Sequence, residues 1–422
     1  MNQDRDLRAA APLQVVAGIV VIASVAVTAV QGVPDLSIAI AFVAFIALGE
    51  ILRINLPGGR QAAPLASAGA LAYALLPAFR NYPPLDITVA LAVSVVTLGS
   101  VVGAFPRALV GRGLRLDELA RRVLTTLFAA AIFRPLFANK ITTEDLNWQI
   151  ALAMTLAAAI AMASDALFAA VVRSSQSRVP LRTAIVDEFR ALVGISTAIA
   201  ATGVLIALAA PKMGYIALPV FAIPLLLTQF SFRRYATIDA TYLQTIRSLS
   251  KVTEVGGYTE TGHSRRVSRL AVTVGREMGV SQRDLVDLEY AALMHDIGQL
   301  ALSTPIPGGT TTILAPVDQR RIAELGADIV RETGVLDRAA LIVERQADPY
   351  RPHRGQLDTS LPLESRIIKA VNAYDDFVGA SLEGDRKLQA IERLALAVDR
   401  DYDPAVVDTL ARIIERQTEY AY

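Results

Sequence analysis

Three residues set the chemical question in this chain: His263, His295 and Asp296. The 422 residues include only three histidines, and two of them fall in GGYTETGHSRRVSRLAVTVGREMGVSQRDLVDLEYAALMHDIGQL, residues 256–300. His263 opens one helical pattern and His295-Asp296 closes the next. Imidazole and carboxylate together suit Mn, Fe, Co, Ni or Zn, and Mg where oxygens dominate. Adjacent helical residues point about 100° apart. His295 and Asp296 can therefore reach one ion from two sides, with His263 added from the neighbouring helix. An ion so held lowers the pKa of bound water and polarises a phosphoryl oxygen. A single histidine on an apolar helix face is more often a hydrogen-bonded core residue. The metal reading rests on the combination.

The elements that must position these residues read as helices only, from Thr237 to about Glu415. Ser281 with Asp284 makes a capping-box-like start for the helix that ends at His295-Asp296. Leu285, Leu288, Ala292 and His295 share one face of it. Later helical patterns cover about Val317–Thr333, Leu336–Gln346, Leu363–Val378, Leu388–Val398 and Pro404–Glu415, with Gly- and Pro-rich loops between them.

Four segments carry a family resemblance: GHSRRV at 262–267, AALMHDIGQL at 291–300, LPLESRIIKAVNAYDDFVG at 361–379 and DYDPAVV at 401–407. They resemble the HD superfamily of metal-dependent phosphohydrolases, and within it the HD-GYP branch. The resemblance implies an all-α HD fold and descent from phosphodiesterases that open cyclic dinucleotides. It implies a metal set of His263, His295, Asp296 and, in place of the family's last aspartate, the neutral Asn372. In an active enzyme Asp296 would help to activate a metal-bound water. The family's paired histidines fall near Ile342-Val343, and its preceding His-Pro motif near Ile322-Ala323. The HDIGK lysine, a phosphate contact, is Gln299, and the GYP tripeptide is absent. The implied site is therefore reduced, with a divalent ion such as Mn, Fe or Mg at low occupancy. Arg265, Arg266 and Arg269, with Gln299, are the candidate contacts to a phosphate-bearing ligand, although the arginines equally suit a solvated helix face. His353 lies in the replaced loop and reads as an ordinary surface residue.

The rest of the chain differs in kind. It is 53% hydrophobic and 19% charged, with a mean hydropathy of +0.42. Those values point to membrane spans. A net charge of +1 gives no reason to expect nucleic-acid binding, and the absence of cysteine excludes disulfides and thiolate metal sites. Eight apolar segments can be drawn: Ala11–Val30, Leu36–Leu52, Ala62–Phe79, Ile87–Phe105, Val123–Ala138, Ile150–Val172, Ala191–Ala210 and Gly214–Phe232. The first reads as a span rather than a cleaved signal peptide. Arg53, Arg60, Arg107, Arg112, Arg115, Arg121, Arg122, Arg173, Arg178, Arg182, Arg190, Arg233 and Arg234 fall on one side of an eight-span arrangement; Arg80, Lys140 and Lys212 fall on the other. That bias places both termini in the cytoplasm of a bacterial inner-membrane protein. Trp148 and Tyr82 suit an interfacial belt. Asp165 lies inside the sixth segment, either hydrogen-bonded to a neighbouring helix or serving a proton or ligand. Arg134 is expected to snorkel to the outer interface.

The expected organisation is thus a polytopic membrane domain over 1–232, a connecting helix over 233–256 and an HD domain over 257–422. Ile238, Tyr242, Ile246, Leu249 and Val252 form a stripe on the connecting helix, which suits either a homodimer seam or packing on the following domain. The first functional reading is a membrane-anchored signalling protein whose HD-GYP-like domain binds a nucleotide, such as a cyclic dinucleotide, or a protein partner, with weak or no cyclic di-GMP hydrolysis. The second is a reduced-site phosphohydrolase acting on a nucleotide or phosphate ester. The third is a transporter with a regulatory HD domain, a reading that a lined polar cavity would favour.

Overall fold

The computed structural model describes the chain except residues 1, 57–59, 78, 80–85, 112–115, 138–146, 178, 307–308, 353–357, 382 and 420–422. Arg80, Tyr82, Arg112, Arg115, Lys140, Arg178 and His353 lie outside the described residues. Two compact units emerge: Met1–Ser177 with Ala184–Ile238, and Arg178–Thr183 with Asp239–Tyr422.

The first unit is built from α1 (Asn2–Gln31), α2 (Leu36–Ile51), α3 (Pro64–Leu75), α4 (Val89–Leu109), α5 (Leu116–Phe137), α6 (Trp148–Ser177), α7 (Leu181–Ala191) from Ala184 on, α8 (Thr197–Met213) and α9 (Ala217–Val255) as far as Ile238. Among the described residues, four stretches are long and apolar enough to cross a membrane, by length and composition: Ala11–Gln31, Val89–Leu109, Trp148–Gln176 and Gly194–Val255. The last contains two of the expected segments, divided at Gly214, whose φ of 64° breaks the helix. Leu36–Ile51 and Pro64–Leu75 are shorter apolar helices. The segment expected at Ala62–Phe79 is helical only over the twelve residues of α3. At ~1.5 Å per residue that is about 18 Å, short of the ~30 Å hydrocarbon core. Its start is set by a feature the helix-only pattern did not foresee, an antiparallel pair of β1 (Ile54–Leu56) and β2 (Arg60–Ala62). Eleven of the twelve α3 residues are buried, so this helix is a core element of its unit.

Small residues bring α2, α3 and α4 together. A Cβ on Gly49 would lie 2.3 Å from the backbone nitrogen of Ala66, and one on Gly103 would lie 2.5 Å from the carbonyl of Ala47. Backbones that approach so closely gain dispersion contacts that larger side chains would forbid.

Charges inside this unit are paired. Asp165 takes two hydrogen bonds from Arg121, at 2.9 and 2.6 Å, the helix-to-helix role weighed for it above. Glu50 bonds Arg53 at 2.8 Å and Arg122 at 2.7 Å, and Arg53 also reaches Glu118 at 2.8 Å. Arg134 departs from the snorkelling expectation. It is 6% exposed and donates to the carbonyls of Ile87 and Tyr73, each at 2.7 Å. Tyr73 lies in the last turn of α3 and Ile87 just before α4, so an inward guanidinium ties the end of one helix to the start of the other.

The second unit continues from the end of α9 through α10 (His263–Glu277), α11 (Gln282–Met294), α12 (Pro316–Arg331), α13 (Asp337–Arg345), α14 (Leu363–Val378), α15 (Gly384–Ala395) and α16 (Pro404–Glu419). The expected N-cap is present: the Asp284 amide donates to Ser281 Oγ, which in turn donates to Asp284 Oδ2 at 2.7 Å. One core joins these helices, with Val267, Ala271, Leu288, Ala292, Ile367 and Val371 fully enclosed. Ile246 of α9 belongs to that core while Ile238, Tyr242, Leu249 and Val252 stay exposed, so the stripe read from the sequence is split between two faces.

The glycine contacts generate a prediction. Gly49→Val and Gly103→Val should each sharply lower the yield and melting temperature of the full chain in detergent, because backbone must move to admit the side chain. Gly18→Ala, with nothing within 4 Å of the new methyl, should melt as the parent does. Equal melting for all three would refute close backbone packing in this unit.

Candidate metal centre

Three elements position the site. Gly262, in the left-handed region at φ 83°, turns the chain into α10, so that His263 is its first residue. His295 caps the C-terminal end of α11 and Asp296 follows it, just beyond the helix that was expected to carry them. Asn372 comes from the middle of α14. Gly298 permits the arrangement. A Cβ there would lie 2.0 Å from the Ile322 carbonyl, so only glycine lets α12 cross the turn after Asp296.

Four donor groups converge. His263 Nε2 lies 3.3 Å from His295 Nε2 and 3.3 Å from Asp296 Oδ2, and His295 Nε2 lies 3.2 Å from the same oxygen. Asn372 Oδ1 stands 3.1 Å from His295 Nε2. Atoms spaced this way can all sit roughly 2.0–2.2 Å from one ion. Each ring is oriented through its other nitrogen. His295 Nδ1 donates to the Ala292 carbonyl at 2.9 Å, and His263 Nδ1 faces Asp375 Oδ2 at 2.8 Å. Both rings therefore turn Nε2 inward, the orientation that a metal-ligating histidine takes from an outer carboxylate or carbonyl. All four residues are buried.

Asp375 was not singled out in the sequence, although DAYDDF-like spacing put it three residues beyond Asn372. It binds Arg266 as well as His263, with Arg266 Nη2 at 2.9 Å. Arg266 also donates to Glu260 at 2.7 Å and is thus spent on internal carboxylates rather than turned to a ligand. Arg265 is exposed on α10. Gln299 is fully enclosed and donates to the Gly309 carbonyl at 3.3 Å, away from the open cleft. Asp376, also missed, accepts from Thr312 Oγ1 at 2.8 Å, and burial raises its carboxyl to about 6. Ile342 and Val343 are enclosed in the core, whereas Ile322 and Ala323 wall a cleft of about 70 Å³ beside His295, Asp296 and Asn372.

The charge balance follows from geometry. Burial opposes a charge on His263, but hydrogen bonds to Asp296 and Asp375 outweigh it and raise the ring to about 10. His295 is likewise raised, against its burial, by the Asp296 charge. The two rings in turn hold Asp296 well below the usual carboxylate range despite its burial.

The first unit has its own polar cavity, of about 170 Å³. Its walls include Ser67, Glu118, Arg121, Arg122, Asp165 and Glu188.

The raised ring has a pH signature. A folded-state value of about 10 lies above the ordinary 6.5, so its stabilisation is full below pH 6.5 and lost as pH rises through 10. With chelator present, stability of the second unit in the full chain should fall between pH 7 and 10, by at most about 1.4 kcal/mol per pH unit. His263→Gln should flatten that slope. An unchanged slope in the variant would place the titration elsewhere.

Comparison with known proteins agrees with this geometry. Residues 247–406 match the family model described as HD domain. The chain is 26% identical over 178 residues to the cyclic di-GMP phosphodiesterase response regulator RpfG of Xanthomonas campestris pv. campestris (strain 8004). The match covers 39% of this chain and 47% of the relative, so the chain spans about half the length of the protein it resembles. Residues 247–406 form an HD domain of the HD superfamily.

Proposed function

We propose that this is a membrane-anchored signalling protein whose HD domain binds a nucleotide or a protein partner and hydrolyses cyclic di-GMP weakly or not at all. The observation that carries this reading is the donor set. Two imidazoles, one carboxylate and one neutral amide meet at one point, enough for a single ion. The residues at the paired-histidine positions, Ile342 and Val343, are apolar and enclosed in the core. His263, His295 and Asp296, with Asn372 as the weaker fourth ligand, would hold a divalent ion. Such an ion supplies a water of lowered pKa and polarises phosphoryl oxygens. Asp296 would act as its charged ligand, with Asp375 and Arg266 positioning His263.

The anchoring part of the proposal is a polytopic inner-membrane protein with cytoplasmic termini, built on eight apolar segments of which the short α3 is one, on the strength of the Lys/Arg bias. Dimerisation is supported by α9. Leu243, Ile246, Ser250 and Thr253 face the HD core. Tyr235, Ile238, Tyr242, Thr245, Leu249 and Val252 are exposed, alternately three and four residues apart. That is the seam spacing of a coiled coil, and a second copy anchored in the same membrane presents it in parallel.

A transporter with a regulatory HD domain is the second reading, favoured by the polar cavity of the first unit. Uptake of a labelled solute by vesicles holding the full chain, abolished by Asp165→Asn, would put that reading first.

Metal analysis and phosphodiesterase assays on the purified chain test the main proposal. Bound divalent metal should be sub-stoichiometric and cyclic di-GMP turnover negligible. Asn372→Asp should raise metal affinity, since it adds a negative ligand, and should leave hydrolysis absent because Ile342 and Val343 remain. Strong hydrolysis by the unmodified chain, lost in His295→Ala, would show an active phosphohydrolase instead.

A further inference from the structure

Lys369 lies three residues before Asn372 on α14, so the two share one side of the helix. Both line the cleft that holds His295 and Asp296, and Lys369 is the cation on its wall. Its Nζ donates to the carbonyls of Ala347 at 3.2 Å and Asp348 at 2.9 Å. An ammonium carries three N–H groups, so one remains for another acceptor. Burial pushes Lys369 down to about 8, against the pull of Asp401 and Asp348, and the nearby charge of Arg320 lowers it further. Here are two cations repelling each other across a gap.

The gap is a cavity of about 730 Å³, within the range of nucleotide-sized pockets. Lys369, Thr312, Gln319 and Tyr402 belong to its wall and to that of the smaller cleft, so the two are continuous. The acids on the larger wall are occupied: Arg345 binds Asp358 at 2.6 Å and also pairs with Asp348, and Arg400 binds Asp401 at 3.0 Å. Arg320 donates Nε to the Pro316 carbonyl at 3.3 Å and has no ion pair among the described residues.

We propose that Lys369, with Arg320, forms a phosphate-binding site on the wall of this cavity, and that it takes the phosphate of a nucleotide without needing a metal ion. This rests on the nucleotide-binding reading above and names the group that performs it. Gln299, enclosed and neutral, cannot offer a cation; Lys369 offers one from α14, one turn before Asn372. The phosphate would sit next to the His–Asp cluster rather than on it.

Binding of cyclic di-GMP and, separately, of 5′-GMP to the full chain in detergent tests this, by calorimetry with chelator present. The parent should bind at least one of them. Lys369→Met should weaken that binding about 10–100-fold, the worth of a charged hydrogen bond, and Lys369→Arg should restore most of it. Arg320 is exposed, so Arg320→Gln keeps the fold and should weaken binding severalfold even if Lys369→Met proves unstable. Binding that survives both removals would overturn the Lys369 site and leave the nucleotide reading standing. Binding that requires added metal would also overturn it, moving the phosphate onto the ion. No binding of either probe, with or without metal, would refute the site and the nucleotide reading together.

Discussion

The contact on which the candidate centre depends is the hydrogen bond between His263 Nδ1 and Asp375. It joins the first residue of α10 to the last turn of α14, across 112 residues of sequence. The carboxylate fixes which ring nitrogen carries the proton and makes the other more basic. Arg266, one helical turn after His263, grips the same carboxylate from the same helix. Asp375 is thereby clamped from two points on α10, and His263 Nε2 is aimed at His295 and Asp296. Removing Asp375 would leave the buried imidazole with Asp296 alone and the guanidinium with Glu260 alone, and would free the ring of His263 to turn. The rest of the centre needs only that the helices stay where the core holds them.

Much of this was legible in the sequence because it is local. The N-cap at Ser281, the start of α10 at His263 and the span of α14 all follow from residues within a few positions of one another. The histidine–aspartate dyad is adjacent in sequence, so its proximity needed no fold. Asp375 and Asp376 were not legible as site residues, because their partners, His263 and Thr312, reach them only when α10 and the 311–312 segment pack on α14. Lys369 was passed over for the same reason, its nearest acceptors being carbonyls of residues 347 and 348. Arg134 misled because periodicity shows that a charge lies in an apolar run and cannot show that the carbonyls of Tyr73 and Ile87 meet it. The apolar stretch around α3 shows the same limit: composition reads as a span of eighteen residues, and the strand pair before it leaves a helix of twelve.

Charge in the first unit is arranged by the same rule as in the second. An ionised group away from water needs a partner and enough hydrogen bonds to replace its hydration. Arg122 meets this with Glu50 at 2.7 Å and Ser100 at 3.0 Å, while Glu50 is shared with Arg53. These bonds link α2, α4 and α5, and α2 and α4 also carry the glycines that allow close approach. Polar and small-residue contacts therefore specify one packing where apolar side chains alone, which lipid contacts equally well, would not.

The turn between α9 and α10 ties the helix and the centre together within the second unit. The amides of Tyr258 and Thr259 both donate to the Thr253 carbonyl, at 2.8 and 3.3 Å, and Thr259 Oγ1 bonds Thr253 Oγ1 at 3.2 Å. His263 N then donates to the Glu260 carbonyl at 3.0 Å as α10 begins. Gly309 seals the turn from the other side, where a Cβ would lie 2.5 Å from the Tyr258 carbonyl. A segment bonded this densely has little freedom of its own. The end of α9 and the start of α10, which carries His263, are thus joined by a short, closely hydrogen-bonded turn.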